Sequence, residues 1–176
     1  MESMNTTPLA YLITIRCYGT WLHGDPRGSM DRKNHHRYGG PKIQPSKKLS
    51  AAEQGELKHP PLVLTDAHRA IVERAICEVC DHRLYQLLAV NARTNHVHSV
   101  VAASCRPEAV MNAFKAYATR QLHRAGLLAN GVRPWSRHGS SPYLWTSEQV
   151  ARAIDYVLNG QDDQPFDRDS PQQLWC

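Results

Sequence analysis

Apolar residues along the chain follow a strand period in some segments and a helix period in others. The segment LAYLITIRCYG, residues 9–19, is rich in β-branched and aromatic residues and ends at a glycine, which predicts a strand. Thr65 and Asp66 suit an N-cap, and the apolar residues after them recur at helical spacing, which predicts a helix to about Asp81. RLYQLLAVNA and HVHSVVAAS predict two strands joined as a hairpin by a tight turn at residues 93–95.

A second helix is predicted from Pro107, which suits the first helical position, to Arg124, with Gly126 as its stop. YLW predicts a short strand, and a further helix follows over residues 147–158. The order is β-α-β-β-α-β with an extra C-terminal helix. This order is typical of an α+β, ferredoxin-like split β-α-β fold with an antiparallel sheet and helices on one face.

The length of 176 residues favours a single domain, which we place at residues 1–160 and follow with a polar tail at 161–176. A long basic segment after the first strand, residues 23–62, has no sustained period and is predicted to be largely an irregular loop. Loops of that length are commonly functional or disordered, and both readings stay open for residues 34–58.

Positive charge is concentrated in two blocks of the sequence. The chain carries 21 Lys and Arg against 16 Asp and Glu, a formal net charge of +5. Residues 23–60 hold eight basic against four acidic residues, and residues 106–138 hold six basic residues against Glu108 alone. Basic blocks that also contain aromatic residues are typical of nucleic-acid binding, although a solvated basic surface is the alternative.

The five cysteines are an odd number, and no signal-peptide pattern precedes them, which favours a reduced, cytoplasmic protein. The apolar stretch at residues 9–15 is too short to span a membrane. The pair in CEVC, Cys77 and Cys80, has half the ligands of a zinc site, but the sequence has no second such pair, and helix or core positions explain both residues.

Two histidines stand two residues apart at the start of HVHSVVAAS. Residues at that spacing in a strand share a face, so His96 and His98 either offer two imidazoles to one ion or form a polar strand end. On a helical wheel, Gln121 lies about 20° from Phe114, inside the apolar stripe of the next helix. A buried unpaired amide is costly, and a metal ion held by the histidines would give Gln121 a partner.

Tyr117 lies one turn before Gln121, at the edge of the same stripe. A phenol, with a reference pKa of ~10, attacks phosphorus at neutral pH only beside a metal-polarised target or a base. Arg120 and Arg124 fall on the Tyr117 side of the helix, where we expect them to bind a phosphate backbone. For Tyr117 taken alone, an aromatic at the core edge is the alternative.

With these residues in hand, the sequence resembles the HUH single-tyrosine transposases, and within them the type associated with repetitive extragenic palindromes (REP). The resemblance is carried by HVH, by FKAYATRQL, by YLITIRCYGTWLHGDPRG and by PWSRHGSSPYLWTSEQVARAIDYVLNGQ, and so covers most of the chain. The fold that this family implies agrees with the fold expected from periodicity.

The resemblance implies an enzyme that cuts and rejoins single-stranded DNA near a hairpin. Tyr117 would attack a phosphodiester to give a 5′-phosphotyrosine link and a free 3′-OH. His96, His98 and Gln121 would hold a divalent ion, Mg²⁺ or Mn²⁺, on the scissile phosphate. Because the bond energy is kept in the phosphotyrosine link, no ATP site is required, and the sequence has no Walker A motif.

In the segment after the first strand, we expect DNA contacts by stacking and phosphate pairing, with loop anchoring as the alternative. The residues concerned are Trp21, Arg27, Arg32 and Lys33. The last helix leads into NGQDDQP where many relatives carry Asn-Pro, which leaves the recognised DNA open. The sequence also leaves open whether Tyr117 serves the metal site of its own chain or of a partner in a homodimer.

Two other functions compete with strand transfer. A histidine-triad nucleotide hydrolase needs a third alternating histidine, and Val100 occupies that position. A domesticated, non-catalytic protein that binds DNA hairpins would need only the basic surfaces, whereas catalysis would need both a metal and a phenol.

Overall fold

A computed structural model of the protein describes residues 7–23, 25–26, 44–160 and 166. Within these residues, five strands form one antiparallel sheet. The strands are β1 (Ala10–Cys17), β2 (Gln86–Ala92), β3 (His96–Ala102), β4 (Trp135–Ser140) and β5 (Tyr143–Leu144). Their order in the sheet is β2-β3-β1-β4, and β5 pairs with the beginning of β1.

Four helices lie within the described residues: α1 (Lys47–Gly55), α2 (Asp66–Arg83), α3 (Pro107–Arg124) and α4 (Ser147–Asn159). Their first turns have the expected local chemistry. The Thr65 hydroxyl accepts the N–H of His68 at the start of α2, and Thr146 caps α4 in the same way. Pro107 opens α3, where its missing N–H costs nothing. The predictions of α2, α3, α4 and the β2-β3 hairpin are therefore confirmed.

The connections give the split β-α-β arrangement that the sequence predicted. Helix α2 joins β1 to β2, and α3 joins β3 to β4, and each connection passes over one intervening strand. Crossovers between parallel strands of one sheet are right-handed almost without exception, so two such connections lie on the same face. The α+β, ferredoxin-like fold is confirmed.

The sheet separates two apolar clusters. On the face of α2 and α3, residues of β1 such as Ile13 and Ile15 pack with Phe114, which is fully buried. On the opposite face, Leu12 and Val100 pack with α4. Removal of a fully buried aromatic side chain such as that of Phe114 typically destabilises a domain by about 3–5 kcal/mol. The first cluster is the larger, and it fixes α3 to the sheet.

Three features differ from the sequence prediction or were absent from it. The C-terminal helix α4 covers the face opposite α2 and α3, so the helices do not all lie on one face. Helix α1 forms inside the segment predicted as an irregular loop, and Ser46 caps its N-terminus. Strand β4, WSRHGS, has little β-propensity and was expected to be a connection, but pairing with β1 supplies its hydrogen bonds.

Some predictions concern residues outside the described part of the chain. These are residues 24 and 27–43 of the predicted loop at 23–62, and residues 161–176 of the tail apart from Phe166. Among the helices that the structure describes, none is long and apolar enough to cross a bilayer.

Candidate active site

His96 and His98 lie side by side on the face of β3 that is covered by α4. Alternation along β3 places both rings with Val100, which belongs to the α4-side cluster. Both side chains are buried, with 3% and 9% of their surface exposed. Their ring centroids are 4.5 Å apart, and the ring planes make an angle of 66°. The two imidazoles are therefore close enough to act on one ligand.

Each imidazole is held by an oxygen atom at its Nδ1. Thr14 lies opposite His98 in the β1-β3 pairing, and its Oγ1 is 2.9 Å from His98 Nδ1. The Asn95 Oδ1 is 2.6 Å from His96 Nδ1. A ring whose Nδ1–H donates to an oxygen carries its lone pair on Nε2, and this is the common arrangement of metal-binding histidines.

The surroundings of His98 favour a neutral imidazole, and those of the pair favour negatively charged ligands. Burial is the main cause that lowers the pKa of His98 from 6.5 to about 3. Electrostatic repulsion from His96, when that ring is protonated, and from Arg93 and Arg16 lowers this pKa further. At neutral pH His98 is consequently uncharged and can donate a lone pair, while the guanidinium groups nearby attract anions such as phosphates.

A tyrosine of α4 contacts this pair. The Tyr156 ring lies 5.2 Å from the His98 ring, centroid to centroid, at an angle of 62°. Tyr156 is half-buried and also contacts Phe166 at 5.4 Å. The histidine pair and Tyr156 are referred to below as the HHY cluster.

The position of Tyr156 follows from how α4 is attached to the sheet. Ala153 and Val157 are buried against the α4-side cluster. The Asn91 side chain donates to the Val157 carbonyl at 2.9 Å, and the Arg93 guanidinium donates to the Gly160 carbonyl at 3.1 Å. These contacts fix the last turns of α4 over β2 and β3, and so hold the Tyr156 ring beside His98.

Tyr117 and Gln121 are on the other side of the sheet. Tyr117 packs against the cluster formed with α2 and α3, and its ring lies 6.4 Å from that of His82. The predicted site that unites Tyr117 with His96 and His98 is therefore wrong for a single chain, because the sheet lies between them.

The predicted need of Gln121 for a metal ion is also wrong. Gln121 is half-buried, and its side-chain amide donates to the Glu78 carboxylate at 3.0 Å. The helical wheel placed Gln121 inside the buried stripe of α3, but Gln121 is not among the buried residues of that helix and finds its polar partner on the neighbouring helix α2.

The predicted DNA-binding residues have different outcomes. Trp21 lies next to the histidine pair, with its ring 6.0 Å from that of His96. Arg120 and Arg124 are exposed on α3, on the side of the sheet away from the pair. Their binding to DNA stays a prediction. The predictions for Arg27, Arg32 and Lys33 lie outside the described residues.

Tyr156 was missed by the sequence reasoning, although two signals pointed to it. The crossover helices α2 and α3 must share one face of the sheet, so an amphipathic helix that follows them is left to cover the other face. Val150, Ala153 and Val157 form the apolar stripe of that helix, and Tyr156 flanks this stripe. The face on which the two histidines project was the missing information.

The donor set fits a divalent ion in part. Two buried imidazoles suit Mn²⁺ and later transition metals better than Mg²⁺, which prefers oxygen ligands. Among residues 7–23, 25–26, 44–160 and 166, no group of three or more His, Cys, Asp or Glu side chains could hold a metal ion. The pair therefore offers at most two protein ligands to an ion, and oxygen atoms of a substrate phosphate or of water would have to provide others.

Comparisons with known proteins give one family and one similar fold. The sequence model of the family described as "Transposase IS200 like" matches residues 58–148, a span that includes the histidine pair and ends in the first turn of α4. No curated protein matches the chain. A solved structure of a REP-associated tyrosine transposase bound to a REP hairpin is similar, with 12% sequence identity and a TM-score of 0.45. The similarity covers 86% of this chain and 65% of that protein, so the chain spans about two thirds of its length.

Proposed function

The chain belongs to the family of IS200-like transposases, and from this premise we propose that it cuts and rejoins single-stranded DNA beside a hairpin. The reaction is a metal-dependent strand transfer with the HHY cluster as its centre, and Tyr156 is the nucleophile. The observation that carries this assignment is the 5.2 Å contact of the Tyr156 ring with His98 on the face where both histidines project.

The proposed first step is attack by the Tyr156 phenolic oxygen on a backbone phosphorus atom. The phenol loses its proton as the new bond joins phosphorus to the tyrosine oxygen, the bond from phosphorus to the 3′ oxygen breaks, and the 3′ oxygen takes up a proton and leaves as a free 3′-OH. The product is a 5′-phosphotyrosine link. In the second step a 3′-OH attacks this link, restores a phosphodiester and releases the phenol. Because each step exchanges one phosphoester for another, the cycle needs no nucleotide triphosphate.

His96 and His98 would hold a divalent ion, Mn²⁺ or Mg²⁺, through their Nε2 atoms. When bound, such an ion would neutralise charge on the scissile phosphate and orient it for in-line attack. The tautomer needed for this role is the one in which each Nδ1–H donates to Thr14 or Asn95. Thr14 and Asn95 would then orient the metal-binding imidazoles, in addition to satisfying the hydrogen-bonding capacity of two buried rings.

The cations around the pair have a consequence for binding order. Arg16 lies opposite His96 in the β1-β3 pairing, so its positive charge repels a divalent cation that enters the site alone. A DNA phosphate would offset this repulsion and add oxygen ligands. We therefore expect Mn²⁺ and single-stranded DNA to bind cooperatively, each increasing the affinity for the other.

The test uses labelled single-stranded hairpin oligonucleotides from the DNA flanking the gene, with Mn²⁺ or Mg²⁺, analysed on denaturing gels. The expected result is a covalent protein-DNA band and a cleaved strand. Both should disappear with a chelator and in the His96→Ala and His98→Ala variants. A variant at the exposed His82, also a histidine but on α2, serves as a matched control and should retain activity.

A different outcome would support the non-catalytic alternative. If the hairpins bind with strong salt dependence but no adduct or cleaved strand forms in any metal, strand transfer is refuted and hairpin binding alone is left.

A further inference from the structure

Trp21 has a backbone conformation that is unusual for its type. Its φ angle is +60°, in the left-handed region that residues with a large side chain rarely adopt. Among the described non-glycine residues, only Leu84 shares a positive φ, and Leu84 closes the C-terminus of α2, where this conformation is common. Trp21 lies in the loop after β1 and closes no helix. Such outliers are frequent at functional sites, where the surrounding structure holds them in place.

The conformation brings the indole to the edge of the HHY cluster. The Trp21 ring lies 6.0 Å from the His96 ring, and the Arg16 guanidinium carbon lies 4.5 Å from the Trp21 ring centroid. Arg16 is also the residue paired with His96 across β1 and β3. An aromatic ring, a guanidinium and an imidazole of the histidine pair thus lie side by side, and Trp21 is only half-buried.

These side chains have the chemistry of a nucleotide-binding site. Aromatic rings stack on bases of any sequence, and a guanidinium presents several N–H donors that match phosphate oxygens. A guanidinium that lies over an aromatic ring can still present N–H donors to a phosphate beside the ring. In a nucleotide the base and the phosphate are adjacent, as are Trp21 and Arg16 here.

We propose that Trp21 and Arg16 form a nucleotide subsite beside the histidine pair. Trp21 stacks on a base that adjoins the cleaved bond, and Arg16 binds the phosphate of that nucleotide. This inference rests on the proposed strand transfer, because it takes single-stranded DNA to be the substrate, and it adds which residues hold the strand next to the reacting phosphate. The subsite fixes the strand by stacking, so it tolerates different bases at that position.

The test is a double-mutant cycle between Trp21 and the DNA bases, measured by fluorescence anisotropy in chelator-containing buffer so that no cleavage occurs. The probe is a fluorescein-labelled single-stranded hairpin oligonucleotide, together with a series in which each unpaired nucleotide in turn is replaced by an abasic site. Trp21→Gly removes the ring and suits the positive φ. Trp21→Asn is the second variant, because asparagine also tolerates this region. Trp145→Gly, at an exposed tryptophan near the start of α4, is the matched control.

With intact DNA we expect Trp21→Gly and Trp21→Asn to weaken binding about tenfold, within the range that one stacked base contributes. Wild-type protein should lose the same affinity when the abasic site replaces one particular nucleotide, the one next to the bond that is cleaved in the covalent adduct. On that oligonucleotide the Trp21 variants should bind no more weakly than wild-type protein. Trp145→Gly should show no such coupling. An equal loss on every oligonucleotide, or no loss, would overturn the subsite and leave Trp21 as a loop anchor.

The cycle separates this inference from the proposed function. Coupling at one position without any covalent adduct in metal would refute strand transfer and keep the subsite. An adduct without coupling would refute the subsite and keep strand transfer.

Discussion

The hydrogen bond between Thr14 and His98 permits a quantitative prediction about metal binding. Thr14 is 7% exposed, and its Oγ1 lies 2.9 Å from His98 Nδ1. Thr14→Val keeps the shape of the side chain and removes the oxygen. A buried polar group that loses its partner typically costs about 1–3 kcal/mol. Loss of such a partner of a metal-binding histidine typically weakens metal affinity about 10–100-fold, which equals about 1.4–2.7 kcal/mol, so the two estimates agree.

Isothermal titration calorimetry with Mn²⁺, in the presence of a hairpin oligonucleotide, measures this change. Thr14→Ser should restore most of the affinity, because it returns the hydroxyl. Thr119→Val removes a hydroxyl that bonds the Lys115 carbonyl on the far side of the sheet, and it should leave Mn²⁺ affinity unchanged. Nitrogen NMR of the metal-free protein should show the proton of His98 moving from Nδ1 in Thr14→Val. Wild-type affinity together with an unchanged tautomer would show that Thr14 does not orient His98 for metal binding.

Two further predictions concern the packing of the fold. In Gly139→Ala the added Cβ would clash with the Thr14 carbonyl oxygen of the neighbouring strand. Urea denaturation should therefore show that the free energy of unfolding falls by about 1–3 kcal/mol. Wild-type stability would contradict the close approach of β4 to β1. Burial raises the pKa of the Cys17 thiol to about 12, so at pH 8 Cys17 should resist iodoacetamide until the protein unfolds, whereas exposed Cys77 reacts in the native state. Peptide mass spectrometry compares the two, and equal labelling would refute this burial.

Much of the fold could be predicted because local chemistry and periodicity agree in the long elements. The cap at Thr65, the proline at position 107 and the turn before His96 each mark an element boundary that the structure shares. Strand β4 could not be predicted in the same way, because its six residues include Ser, Arg, His and Gly, and only its pairing with β1 makes it a strand. Its stability is a property of the sheet rather than of the segment.

The candidate site was predicted in part. The spacing of His96 and His98 gave their shared face correctly. Tyr117 was expected to join the histidine pair but lies on the opposite face of the sheet, because a helical wheel shows which residues of α3 meet the sheet but not which face of the sheet they meet. To choose between Tyr117 and Tyr156, one must know on which face of the sheet the two histidine side chains lie. This face is set by the register of β1 against β3.

The most direct test of the account identifies the tyrosine that becomes linked to DNA. The adduct formed with a hairpin oligonucleotide and Mn²⁺ is digested with protease and nuclease, and the peptide that retains a nucleotide is sequenced by mass spectrometry. Tyr156→Phe and Tyr117→Phe are measured in parallel. We expect a nucleotide on Tyr156, loss of the adduct in Tyr156→Phe and an unchanged adduct in Tyr117→Phe. A nucleotide on Tyr117, with the adduct lost only in Tyr117→Phe, would rule out Tyr156 as the nucleophile.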